Sequence, residues 1–134
     1  MTETSNPPIA CDMTTASDTP QERLDEYGRL FAAHLKGRER TPEGGIRFRF
    51  HAGDGVDAWV RDLAAREKAC CAFFDFDVAT VGDEVIWDGR VVDDDTARDL
   101  LDEFYALPET AGLGVDALKG RYTERGLTFI TTLG

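Results

Sequence analysis

Apolar residues return along this chain at two spacings, and each spacing predicts a kind of element. Leu24, Tyr27, Phe31 and Leu35 recur at helical intervals behind Thr19-Pro20-Gln21-Glu22. That start supplies an N-cap threonine, a proline in the first turn and a glutamate three residues after the cap. A helix is therefore predicted over 20–38, with His34 on the same stripe. Ile46, Phe48 and Phe50 then alternate with Arg47 and Arg49, the period-two pattern of a half-buried strand. Gly53-Asp54-Gly55 interrupts the pattern, and Asp54 is placed to cap a second helix over 55–71. Its stripe, Val56, Trp59, Val60, Leu63 and Ala64, runs on into Glu67, Cys70 and Cys71.

Period two resumes at Phe74, Phe76 and Val78, a turn is expected at 81–84, and 85–92 runs back, so this segment reads as a hairpin. Asp93-Asp94-Asp95 makes an acidic cap for a third helix, where negative charge suits the helix dipole. That helix carries Ala97, Leu100, Leu101, Phe104 and Tyr105 and stops at Pro108. A short strand is expected at 9–13, a short helix at 115–124 and a last strand at 127–132. His51 reads as a loop residue, and Trp59 and Trp87 as core. The element order predicts an α+β fold, a mainly antiparallel sheet with helices on one face, as in a ferredoxin-like or related two-layer sandwich. Residues 1–8, ending in Pro7-Pro8, read as an extended or disordered arm, and 9–134 as a single domain.

Length agrees, since 134 residues suffice for one core. Charge narrows the partners. With 26 acidic against 15 basic side chains the net charge is −11, which repels phosphate backbones and anionic headgroups. Nucleic acid and membrane surface are poor partners for such a chain, while an open sheet face leaves room for a homodimer. The start has no basic-then-apolar signal pattern, and the longest apolar run, 69–74, falls far short of the ~20 residues of a membrane span. A cytoplasmic setting follows as the expectation, and with it free thiols for all three cysteines.

Chemistry concentrates at Glu67-Lys68-Ala69-Cys70-Cys71. Glu67 precedes the cysteines by three and four residues, so a helix sets it on their face, and that face continues the apolar stripe. A carboxylate turned toward the core needs a partner or a proton. Adjacent cysteines rarely close on each other, but their thiolates can share a soft cation. Cys11 would bring the sulfurs to three, a set suited to Hg(II), As(III) or Cu(I). Glu67 or His34 as a fourth donor would suit Zn(II). The partial negative charge of a helix end opposes thiolate formation, unless Lys68 or Arg66 folds back to offset it. No CxxC, HExxH or phosphate-cradling glycine pattern is present.

Ile9-Ala10-Cys11, the Arg/Phe strand and Glu67-x-x-Cys70-Cys71-x-Phe73 together resemble a group of small bacterial proteins with an IAC…ExxCCxF pattern, a likeness spanning about residues 9–105. The resemblance implies that Cys11, Glu67, Cys70 and Cys71 belong together as a set, and supplies no activity. The same groups are similar in chemistry, though not in sequence motif, to organomercurial lyases, where two thiols and a carboxylate bind mercury and protonate the departing carbon. Three readings follow. The leading one is a thiol-based binder of a soft metal or metalloid. Its rivals are a structural or interaction module with packed cysteines, and an enzyme using Glu67 as acid/base with Cys70 or Cys71 as nucleophile.

Overall fold

The computed structural model describes residues 9–130, so the arm expected at 1–8 and the end of the last strand lie outside it. Helix α1 (Pro20–His34) starts as its sequence dictates. The Thr19 side chain accepts from the Glu22 backbone N–H while the Glu22 carboxylate accepts from the Thr19 N–H, a complete capping box. It ends four residues earlier than its periodicity predicts. Leu35 turns extended, and 35–40 becomes a strand, β2 (Leu35–Arg40). Lys, Arg and Glu favour helices in isolation, but here cross-strand partners decide. Leu35 lies opposite Phe50, Glu39 accepts from Arg49 at 2.8 Å, and Arg38 and Arg40 sit over the Tyr105 ring at 4.7 and 4.4 Å.

Strand β3 (Ile46–His51) follows the alternation: Ile46, Phe48 and Phe50 are fully buried. It includes His51, which the sequence reads as loop; the residue is exposed. Helix α2 (Val56–Cys70) begins after Gly55 in the left-handed region, φ +79°, so Gly55 rather than Asp54 holds the N-cap position, with no side-chain cap. Strands β4 (Phe74–Val81) and β5 (Glu84–Val91) form the expected hairpin. Gly82, at φ +61°, takes the first turn position, where a two-residue hairpin turn favours a residue without Cβ. Helix α3 (Asp95–Tyr105) is capped by Asp94, whose side chain accepts from the Ala97 N–H at 3.0 Å. Pro108 stops that helix and sits in the first turn of a short one, α4 (Leu107–Thr110). A single 3₁₀ turn (Ala111–Leu113), helix α5 (Val115–Glu124) and strand β6 (Thr128–Ile130) complete the chain.

Strands pair in the order β2-β3-β5-β4, all antiparallel, so the fold is a two-layer α+β sandwich as expected. Phe48, Trp87 and Phe104 lie at its centre, their ring centroids 5.5 to 6.2 Å apart. Trp87 is fully buried; Trp59 is half-buried and donates to Glu26 at 2.7 Å. A second, two-stranded sheet joins the chain ends: β1 (Ala10–Asp12) runs parallel to β6, with Cys11 opposite Phe129. This small sheet, with α4 and α5, closes over α1 and the end of α2. No helix among the described residues is long and apolar enough to cross a membrane.

Candidate functional site

The recess forms where three parts of the chain meet: the first strand, the last turn of α2 and the C-terminal helices. β1 delivers Cys11, the last turn of α2 delivers Glu67, and the residue after α2, Cys71, completes the group. The two cysteines have Cα atoms 4.5 Å apart and form a disulfide, well within bonding reach. Free thiols were the expectation for all three cysteines, and the structure corrects it for two. What sequence could not supply was that pairing with β6 lays the first strand against the end of α2. Cys70 stays free and buried.

Glu67 is turned inward, as its position on the stripe predicts, and its partners come from α1. Oε1 accepts from the Tyr27 hydroxyl at 2.9 Å and from Arg23 Nη1 at 3.2 Å. Arg23 is 5% exposed and is held from its other side by Asp18, which accepts from Nε at 2.6 Å and Nη2 at 2.8 Å. Burial works against the Arg23 charge, but the bond to Asp18 and the charges of Glu67 and Asp18 outweigh it, so its pKa is raised. Tyr27 is held well above the ordinary tyrosine range, first by burial and then by the adjacent Glu67 charge. Tyr122, on the opposite wall, is raised for the same two reasons.

With Oε1 occupied, Oε2 is directed at sulfur, 3.2 Å from Cys71 Sγ. The disulfide sulfur has no proton to give. Cys11 Sγ, Cys71 Sγ and a Glu67 carboxylate oxygen all lie within 4.8 Å of one another, the one group of this kind among the described residues. All three face a cavity of about 90 Å³, whose walls include Met13, Leu24, Phe104, Leu107, Leu118 and Tyr122. A smaller cavity of about 40 Å³ lies on the other side, toward Phe73, Phe74 and Leu127.

The remaining expected ligands lie elsewhere. Cys70 is outside the converging set: its sulfur is 3.9 Å from Arg23 Nη2. Burial raises its thiol pKa, while Arg23 pulls the other way. His34 stands edge-on to Trp59, with ring centroids 5.9 Å apart, and takes no part in the cluster. Lys68 folds over the segment that follows α2, donating to the carbonyls of Ala72 and Phe74 at 2.8 and 2.7 Å. Arg66 turns away to Glu26, Asp18 and Asp62. Sequence reasoning missed Arg23, Tyr27 and Tyr122 as site residues. The available signal was the i, i+4 spacing of Arg23 and Tyr27, an arginine one turn before a stripe aromatic. Compared with protein-family models, curated proteins and solved structures, the chain matches none.

Proposed function

We propose that the reduced protein binds a soft metal or metalloid ion, with the thiolates of Cys11 and Cys71 as sulfur donors and Glu67 as the third donor. The observation that carries this reading is the convergence of two sulfurs and one carboxylate oxygen within 4.8 Å, inside a recess whose other walls are largely apolar. Soft sulfur selects Hg(II), As(III), Cu(I) or Zn(II) over hard cations. Once a thiol reductant has cleaved the disulfide, side-chain rotation lets the two sulfurs reach the ~3.8 Å separation that two ligands at ~2.3 Å need on a tetrahedral ion. Ion binding and the disulfide exclude each other, because both use the same two sulfurs. A cytoplasmic setting, where thiols stay reduced, keeps such a site open. The partner is then an ion.

Equilibrium titration of fully reduced protein with each ion, followed by thiolate-to-metal absorption, tests the reading. Binding of one ion per chain is expected, lost on air oxidation and in Cys71→Ser. Absence of tight binding by every one of the four ions refutes it.

The disulfide favours a second reading, a reversible thiol–disulfide couple. A low-molecular-weight thiol attacks Cys11 Sγ as its thiolate and displaces Cys71 as thiolate, which takes up the proton the attacking thiol released. A second thiol then releases Cys11 and leaves as the small-molecule disulfide. A glutathione redox titration separates the readings. A purely structural disulfide stays oxidised at cytosolic poise, whereas a working couple titrates within it.

A further inference from the structure

An inorganic ion has no use for an apolar cavity. Yet the larger space beside the sulfurs is walled mostly by apolar groups, Met13, Leu24, Leu107 and Leu118 with the Phe104 and Tyr122 rings, and only Arg23 and Lys119 bring positive charge to it. Two sulfurs converge; Cys70 lines the same cavity, but its sulfur lies against Arg23 and outside the cluster. A trivalent metalloid bound by two thiolates has one further position, taken by Glu67 when the ion is bare and by a carbon substituent in its place when the metalloid carries one. Both sulfurs are buried, Cys11 at 9% and Cys71 at 1% exposure, so that third position lies inside the recess and not in solvent.

Resting on the soft-ion reading above, we propose that the site's preferred occupant is trivalent arsenic carrying one small alkyl group, with the alkyl chain in the apolar cavity. The exchange balances without oxidant or reductant. An alkylarsonous acid, R–As(OH)2, loses two As–O bonds and gains As–S bonds to Cys11 and Cys71. The two thiol protons leave with the two hydroxides as water. Glu67 Oε2, 3.2 Å from Cys71 Sγ, takes that thiol's proton and passes it to the departing hydroxide. Arsenic keeps its oxidation state throughout.

Size sets the limit on R. An apolar cavity of about 150 Å³ accommodates benzene, whereas this one is about 90 Å³. Short chains fit and a phenyl ring does not. Each CH2 group moved from water into the cavity should tighten binding roughly fourfold.

The test is competitive titration of the fully reduced full-length protein with arsenous acid and with methyl-, ethyl-, n-propyl- and phenylarsonous acids. Affinity is expected to be lower for arsenous acid than for methylarsonous acid, to climb from methyl through propyl by roughly fourfold at each added CH2, and then to fall for phenyl. In Leu118→Ala, with folding checked by circular dichroism, phenyl should bind more tightly than in the unaltered protein. A second variant, Val115→Phe, reads the opposite change, narrowing the cavity and flattening the series. Affinity independent of R, or arsenous acid binding most tightly, overturns the inference while leaving the soft-ion reading intact if Hg(II), Cu(I) or Zn(II) still binds. Failure of all arsenicals and all three ions overturns both.

Discussion

Two glutamates are drawn into the body of this protein, and they are held in opposite ways. Glu103, on α3, has its side chain 4% exposed and both carboxylate oxygens engaged. Arg121 donates to Oε1 at 3.0 Å, and Arg125 Nε lies 2.8 Å from Oε2. Its two arginines are 43% and 39% exposed, so solvent shares their charge. Glu67, on α2, is 14% exposed and has a single arginine, itself buried, and a tyrosine, both on Oε1. Its second oxygen is left for sulfur. The first arrangement is saturated and fastens α5 to α3. The second keeps an acceptor free beside a disulfide and a cavity. A buried carboxylate alone does not mark a site; an oxygen left over and pointed at a reactive atom does.

Substitutions at matched positions in the two regions sharpen that contrast. The largest effect is expected from Cys71→Ser or Cys11→Ser, which should abolish soft-ion binding by the reduced protein. In the oxidised protein, losing a disulfide whose cysteines are 60 residues apart should lower unfolding free energy by about 2–4 kcal/mol in denaturant titration. Next, Arg23→Ala strands Glu67 without its buried cation, leaves Asp18 with Arg66 alone, and should cost about 3 kcal/mol. Arg121→Ala, at the half-exposed Glu103 junction, should cost no more than about 1 kcal/mol. Similar values for the two arginines would erase the distinction drawn here.

Glu67→Gln and Glu103→Gln should separate by readout. The first replaces a charged donor by a neutral amide oxygen and is expected to weaken ion binding by at least the ~10–100-fold found when a group merely supporting the ligands is removed. The second should lower stability and leave ion affinity unchanged. Tyr27→Phe removes one hydrogen bond to Glu67 and should cost about 1 kcal/mol, measured by the shift in urea midpoint. The smallest effect is on acid stability. Asp18 is held below its ordinary 3.8 chiefly by its hydrogen bond to Arg23. Glu26 is held below its ordinary 4.5 chiefly by its hydrogen bond to Arg66. Both bind protons less readily folded than unfolded, so their contribution is present above the ordinary values and is lost as pH falls through the lower folded ones. The melting temperature should drop below about pH 4 by less in Asp18→Asn than in the unaltered protein.

Much of this was legible in the sequence. Period two placed Ile46, Phe48 and Phe50 inside, the capping box placed the start of α1, and the continued stripe turned Glu67 inward. Those features are local, and local patterns survive folding. β2 was not legible, because Leu-Lys-Gly-Arg-Glu-Arg carries helix-forming residues, and it is pairing with the next strand, Leu35 opposite Phe50 and Glu39 bonded to Arg49, that decides against a helix. The Cys11–Cys71 bond was hidden for a similar reason. It depends on the parallel pairing of β1 with β6, two three-residue strands at opposite ends of the described chain. Of the least legible segment, 109–134, the described residues Leu118, Tyr122 and Leu127 supply part of the cavity walls. Half of the candidate site was therefore readable as chemistry, and its enclosure was not.

X-ray absorption at the metal edge, on fully reduced protein carrying one equivalent of Hg(II), tests the central claim most directly. Two sulfur neighbours and a lighter oxygen neighbour are predicted, with the oxygen lost in Glu67→Ala. Three sulfurs, or fewer than two, would contradict the account.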